Sequence, residues 1–277
     1  MRSSAPDKNT PVAGARVHFL SVTTIAFVVA FVGSVIALIL ADLFYTDAKT
    51  MREVLRSPDV LAAIWLSAVT SGATILLVVC FSVPMGYALS RYRFPGHVLV
   101  DTLVDLPIVL PPLVLGVSLL VFFQTSLGKW IEAAGAEFVY TRKGIVLCQF
   151  FVSASYGIRS AKAAFDAVDE KLERLAMTLG CTHVQAFWHV ALPLARNGVI
   201  AGAILAWAKA VGLFGPLMVF AGAVRRKTEV MPTTIFLELS IGRIEVALAV
   251  ALLMLGMAAV TLAVIHWLTA GRRWGAA

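Results

Sequence analysis

The sequence predicts an all-α membrane protein of about six transmembrane helices, and three observations carry that prediction. Sixty per cent of the 277 residues are hydrophobic and 14% are charged, with a mean hydropathy of +0.88, a balance foreign to a water-soluble domain. The apolar residues gather into runs near the about 20 residues that a bilayer-crossing helix needs. Most of the charges fall in short connections between those runs. One membrane domain over residues 18–277 accounts for the length, with residues 1–17 ahead of it. The net charge of +7 suits connections facing the cytoplasm and anionic lipid headgroups. It does not suit nucleic acid, because the basic residues are scattered among spans without interleaved aromatics.

Residues 1–17 contain Arg2, Lys8, Arg16, Pro6, Pro11 and Gly14, the composition of a disordered cytoplasmic leader. Phe19 to Phe44 exceeds the about 7–15 apolar residues of a signal-peptide core and reads as the first span. Tyr45 to Asp59 is a polar loop of balanced sign, assigned to the outer face. The second span runs from about Leu61 to Leu89, with Pro84 predicted to bend its end. Arg91 to His97 forms a compact basic turn on the cytoplasmic side. The third span, Val98 to Phe123, holds Asp101, Asp105, Pro107, Pro111 and Pro112 ahead of an uninterrupted apolar half. Prolines remove amide donors, so this segment is either a broken helix of the kind that lines a pathway or a helix that starts late. Gln124 to Lys143 is an outer loop with an amphipathic piece around Trp130. The fourth span, about Gly144 to Ala164, is interrupted by Ser153, Ser155, Tyr156 and Gly157 and ends near Arg159 and Lys162.

Residues 166–193 form the only long stretch that combines charges, a glycine turn and entry into the membrane. A charged helical pattern from Asp166 stops at Gly180, and a short amphipathic segment, Val184 to Val190, leads into Leu192-Pro193. Glycine accepts the positive φ that closes a helix, and proline suits the first turn of the next. The predicted object is two short helices with an elbow, lying at the mouth of a bundle. Gly180, nine intervening residues, then Val190, Ala191, Leu192 and Pro193 resemble the EAA motif in permease subunits of binding-protein-dependent ABC importers. That resemblance implies the six-helix type I permease fold, with this stretch as a cytoplasmic coupling helix docking into a groove of an ATPase subunit. It puts Glu173, Arg174, Ala176, Gly180, Val190, Leu192 and Pro193 at the coupling site. One departure stands out: Arg174-Leu175-Ala176 replaces Glu-Ala-Ala, with Glu173 one place earlier.

The fifth span, roughly Ala195 to Phe220, contains Lys209, 16 residues beyond Pro193 and so about 24 Å along a helix. A lysine at that depth faces a cavity, is paired, or snorkels to the interface. Asp105-Leu106-Pro107 with Pro111-Pro112, and Gly157 to Asp169, are similar to permeases for molybdate, tungstate and sulfate. In those of the molybdate type an Arg and, four residues on, a Glu stand where this chain has Lys209 and Leu213. The resemblance implies a pathway or gate set of Lys209, Gly212, Phe214, Gly215, Asp105, Pro107, Pro111 and Pro112. The loop from Ala223 to Glu245 carries Arg225-Arg226-Lys227 on the outer side, against the positive-inside tendency. That triplet reads either as a contact for an acidic binding protein or as a solvated loop. The sixth span, Val246 to Leu268, ends at Arg272-Arg273, with both termini cytoplasmic.

No segment has the Gly-x4-Gly-Lys-Ser/Thr phosphate loop, the five histidines are scattered, and Cys80, Cys148 and Cys181 are isolated. Catalytic residues and a metal site are therefore not expected. The resemblance implies that ATP and Mg2+ belong to a partner ATPase dimer, and that a substrate-binding protein and a second permease copy complete an inner-membrane importer alongside membrane lipid. The competing readings are a stand-alone channel or secondary carrier, a membrane scaffold protein, and a permease for thiamine, a polyamine or ferric ion.

Overall fold

The computed structural model describes residues 11–135 and 137–270, with side-chain surroundings from residue 23 to residue 263. In chain order the helices are α1 (Pro11–Tyr45), α2 (Ala48–Arg56), α3 (Pro58–Arg91), α4 (His97–Val109), α5 (Pro112–Gln124), α6 (Ser126–Ala133) and α7 (Arg142–Asp166). Then come α8 (Glu170–Thr178), α9 (His183–Ala186), a π turn (Phe187–Ala191), α10 (Leu192–Val211), α11 (Gly215–Phe220), α12 (Met231–Ser240) and α13 (Ile244–Ala270). Among the described residues every regular element is helical, as the hydrophobic runs predict.

Helix α7 is the axis of the bundle, packed between α3 and α10. Small residues allow this. A Cβ placed on Gly198 would lie 2.5 Å from the Ala164 Cβ, and one on Gly202 2.5 Å from the Ser160 Cβ, so the α7–α10 approach requires both glycines. Gln149 joins all three helices: it accepts from the Thr74 hydroxyl at 3.0 Å and donates to the Ala210 carbonyl at 3.0 Å. With both ends of its amide used, it is buried without an unmet polar group.

Four stretches are long and apolar enough to cross a membrane: residues 23–45, 58–91, 183–211 and 244–263. The pair α4 and α5 makes a fifth if taken as one span bent by 112°. Helix α7 has the length, about 37 Å over its 25 residues. It is less apolar because Gln149, Ser153 and Ser155 are buried against protein rather than exposed to lipid. This sixth crossing is the segment expected from the sequence as the fourth span, about Gly144 to Ala164.

Several boundaries differ from the sequence expectations. Helix α1 begins at Pro11, inside the stretch read as leader; residues 1–10 and Arg272-Arg273 lie outside the described residues. The 45–59 loop contains α2, whose Val54 packs with Val60, Met231, Ala249 and Val250. The third span is broken rather than late-starting: Pro107 lies inside α4, and the chain is extended at Leu110 and Pro111 before α5 opens at Pro112. Two adjacent prolines supply no amide donors, and the residue before a proline is pushed out of helical geometry. Ser153, Ser155, Tyr156 and Gly157 do not interrupt α7. The fifth span stops at Val211, and the 223–245 loop includes the largely buried α12.

Candidate functional site

The elbow is built by backbone hydrogen bonds around one left-handed residue. Gly180 has φ 99°. Its N–H donates to the Met177 carbonyl at 3.0 Å, and the Cys181 N–H donates to the Ala176 carbonyl at 3.1 Å, the paired bonds of a Schellman stop. Thr182 restarts the helix: its hydroxyl accepts from the Gln185 N–H at 3.3 Å while Gln185 Oε1 accepts from the Thr182 N–H at 2.8 Å. This reciprocal box satisfies two amides that a helix start would leave orphaned. In the following π turn the Leu192 N–H bonds to the Phe187 carbonyl. The wider turn accommodates Pro193, which cannot donate to the His189 carbonyl and would crowd it in a regular helix. The elbow therefore runs without a gap into α10.

The surface of this elbow is apolar. Leu175, Leu179, Val184 and Trp188 are exposed, Leu179 to 80%. Arg174 is exposed and pairs with Glu170 one turn back at 2.9 Å; Ala176, Val190 and Leu192 are half-buried, and Pro193 is exposed. Glu173, expected from the resemblance to belong with the docking residues, is turned inward. It is 6% exposed, its Oε1 accepts from Arg91 Nε at 2.8 Å, and its Oε2 accepts from the Tyr87 hydroxyl at 2.7 Å. Arg91 Nη2 also donates to the Val168 carbonyl at 2.8 Å. The Ser90 hydroxyl donates to Asp166 at 2.6 Å. The Tyr87–Glu173–Arg91 group fastens α8 to the end of α3, with Ser90 tying α3 to the end of α7, and sequence reading missed the roles of Tyr87 and Arg91. An acid and a base in neighbouring cytoplasmic connections were the available signal.

A second polar cluster lies where α4 meets α7. Arg159 Nη1 and Lys162 Nζ donate to Asp101 at 2.9 and 3.1 Å, and the Arg159 guanidinium forks onto the Asp105 carboxylate. Asp105 is thus held against α7. Lys209 is exposed on α10, with Nζ 5.1 Å from the Tyr156 ring centre. Tyr156 and Arg159 are three residues apart on α7 and share a face. Three cations (Arg159, Lys162, Lys209) against two acids (Asp101, Asp105) leave one net positive charge, and among the described residues Lys209 has no carboxylate partner.

Pro107 lies inside α4, and the other predicted pathway residues sit at the two chain breaks. Pro111 and Pro112 are exposed at the 112° bend. Gly212 ends α10, Gly215 opens α11 where a Cβ would meet the Leu113 side chain of α5 at 3.5 Å, and the Phe214 ring packs on Phe236 at 5.0 Å. The structure so brings Gly215 to the bend and Phe214 to α12, while Asp105 and Lys209 are each tied to α7. At the end away from the elbow, Arg225 bonds Glu238 at 2.8 Å and Arg226 pairs with Asp59. Two of the three cations in the 225–227 triplet are therefore matched within the chain.

The family model for the binding-protein-dependent transport system inner membrane component matches residues 79–274. The chain is 39% identical over 195 residues to the molybdate/tungstate transport system permease protein WtpB of Thermococcus kodakarensis, covering 70% of this chain and 74% of that one. It is 35% identical over 205 residues to the molybdenum transport system permease protein ModB of Mycobacterium tuberculosis (73% and 77% covered). It is 33% identical over 189 residues to the sulfate transport system permease protein CysT of Escherichia coli (68% of each). A chain of a bacterial alginate ABC transporter, solved with an alginate-bound periplasmic protein, superposes with a TM-score of 0.72 at 17% identity, covering 92% of this chain and 93% of that one. That likeness shows the shared fold. The chain belongs to the binding-protein-dependent transport system inner membrane component family, as a permease subunit of an ABC importer rather than an enzyme.

Proposed function

We propose that this chain forms the pore of an ATP-driven importer for an oxyanion, molybdate or tungstate first and sulfate next, in the inner membrane with the elbow and both termini cytoplasmic. The observation that carries the reading is the elbow: a rigid helix–glycine–helix unit that exposes Leu175, Leu179, Val184 and Trp188 and continues into α10. An apolar helix surface braced from behind suits the groove of a partner ATPase. Two ATPase subunits, a substrate-binding protein and a second copy of the chain complete the assembly on a two-fold axis. ATP and Mg2+ bind the ATPase subunits. The anion preference is supported by the surplus positive charge of Lys209 beside Tyr156 and Arg159, and by the names of the relatives.

The mechanism is alternating access. Closure of the ATPase pair moves the elbow, and α10 and α3 follow because one continues from it and the other is braced to it. Co-purification from membranes tests the docking surface. A Cβ at Gly180 would point into open space, so Gly180→Asp strains the turn by about 1–2 kcal/mol without a clash. The variant should insert normally, lose the ATPase and stop uptake. Normal uptake in Gly180→Asp would remove the coupling role, and a chain that conducts ions without ATP would make it a channel.

A further inference from the structure

The end of the bundle opposite the elbow carries three cations that form no ion pair among the described residues, with Glu137 the one acid in the same hollow. Arg142 and Lys143 open α7, and Lys227 lies in the connection before α12. Among the described residues none of the three is in an ion pair, whereas the neighbouring Arg225, Arg226 and Arg243 all are. Arg142 is held in place all the same: its Nε donates to the Lys227 carbonyl at 3.1 Å and its Nη2 to the Arg226 carbonyl at 3.0 Å. Both acceptors are neutral, so the charge is positioned and not cancelled.

Three hollows meet at this point. A polar one of about 410 Å³ is walled by Glu137, Thr141, Arg142, Lys143 and Lys227. An apolar groove of about 320 Å³ follows α3 past Trp65, Leu66 and Val69, with Arg142 and Lys143 at its mouth. A second, of about 400 Å³, runs between Leu77, Phe81, Phe138, Leu147 and Phe150. Lys143 lines all three hollows, and Val146, one turn further along α7, is shared by the two apolar ones. Trp65, exposed on α3 inside the first groove, is the residue type that marks the boundary between headgroups and acyl chains.

We propose that this junction is a binding site for an anionic diacyl phospholipid, with its phosphate at Lys143 and Lys227 and one acyl chain in each groove. A charged mouth with two apolar channels below it matches the shape and the charge of such a molecule. Three cations against the single carboxylate of Glu137 leave the hollow net positive, so the added ammonium of a zwitterionic lipid is disfavoured and the site discriminates by headgroup. A water-soluble acidic partner reaches only the polar hollow and leaves both grooves uncovered, which favours the lipid. Basic pockets between membrane helices bind anionic headgroups on this principle.

Native mass spectrometry of the full chain, offered equal amounts of phosphatidylglycerol and phosphatidylcholine with identical acyl chains, tests the site. One phosphatidylglycerol per chain should be retained, with about tenfold preference from Lys143 and Lys227, the two cations placed at the phosphate, partly screened by salt. Lys143→Gln with Lys227→Gln should bring the preference to within about twofold, and Lys143→Arg with Lys227→Arg should keep it. Equal retention of both lipids by the unaltered chain, or full preference in the glutamine variant, overturns the proposal. Glycerol phosphate should fail to compete; effective competition would make this a free-phosphate site and overturn the lipid assignment. If the glutamine variant instead keeps its lipid preference and loses a water-soluble protein from this face, the patch is a protein-docking surface and the proposal falls.

Discussion

Among the described residues Lys209 and Glu229 are in no ion pair, and each makes a separate prediction. An ammonium within a bilayer is unfavourable unless it faces water, a partner or the interface. The Tyr156 ring beneath Lys209 supplies about 0.5–2 kcal/mol of cation–π attraction, which leaves the charge available to a passing anion. Lys209→Met should lower tungstate uptake about tenfold, the kinetic equivalent of one lost contact of about 1.4 kcal/mol. Unchanged rate and selectivity would mean that the side chain only snorkels. Glu229 lies in the connection before α12, is 2% exposed, and has a carboxylate oxygen with no partner among the described residues. Burial holds its pKa above the ordinary carboxylate value, and the nearby Asp59 and Glu238 add to this while Arg225 opposes it. An acid shifted in this direction binds its proton more tightly when folded. Its stabilisation is present below the ordinary value and is lost as pH rises through the raised one. Thermal unfolding should therefore show the protein weakening across that window, and Glu229→Gln, which cannot ionise, should flatten the curve. A variant with the same pH dependence as the parent would rule Glu229 out as the group responsible.

Among the elements, the elbow shows how much local chemistry settles and where it stops. The turn was legible because glycine after a helical run and proline at a helix start act through the backbone alone. The inward turn of Glu173 was not, because it depends on Arg91 and Tyr87, more than eighty positions away in the chain. Removing one member of a buried ion pair leaves the other charge unmatched, typically at a cost of about 3–5 kcal/mol. Glu173→Ala should accordingly loosen α8 from α3. Limited proteolysis would then cut residues 166–193 faster while the spans stay protected, and an unchanged digestion pattern would show that the brace carries little. The bend between α4 and α5 lies between these cases. Its prolines announce a disruption, but where the helix before them packs was not legible, because Arg159 and Lys162 of α7 hold Asp101 and Arg159 holds Asp105. Helix α12 is the amphipathic stretch Thr233 to Leu239 of the outer loop, but its burial was not legible, because it depends on Ser67, whose hydroxyl accepts from the Met231 N–H at 2.8 Å.

At the level of the whole molecule, the stack of α3, α7 and α10 is the rigid part on which pathway and elbow both depend. With no hydrophobic drive between helices in lipid, close packing of small residues and a few buried hydrogen bonds hold such a stack. Gly202→Leu would push its side chain into Ser160, so expression of folded protein and its melting temperature should both fall, by an overpacking penalty of about 1–3 kcal/mol or more. Leu205→Ala, on the exposed side of the same helix, should be near neutral. Equal behaviour of the two would mean that α10 is not packed through its glycines. By itself the sequence determined the membrane class, the family and the place of the elbow, because hydropathy, backbone-breaking residues and motif spacing are written in consecutive residues. Only the tertiary structure decided which charges are spent and which are free. Arg225 and Arg226 become matched, while among the described residues Arg142, Lys143 and Lys227 stay outside any ion pair. Those outcomes depend on which side chains meet across helices, and the free energy of a charge is set by what lies within a few ångströms of it in space.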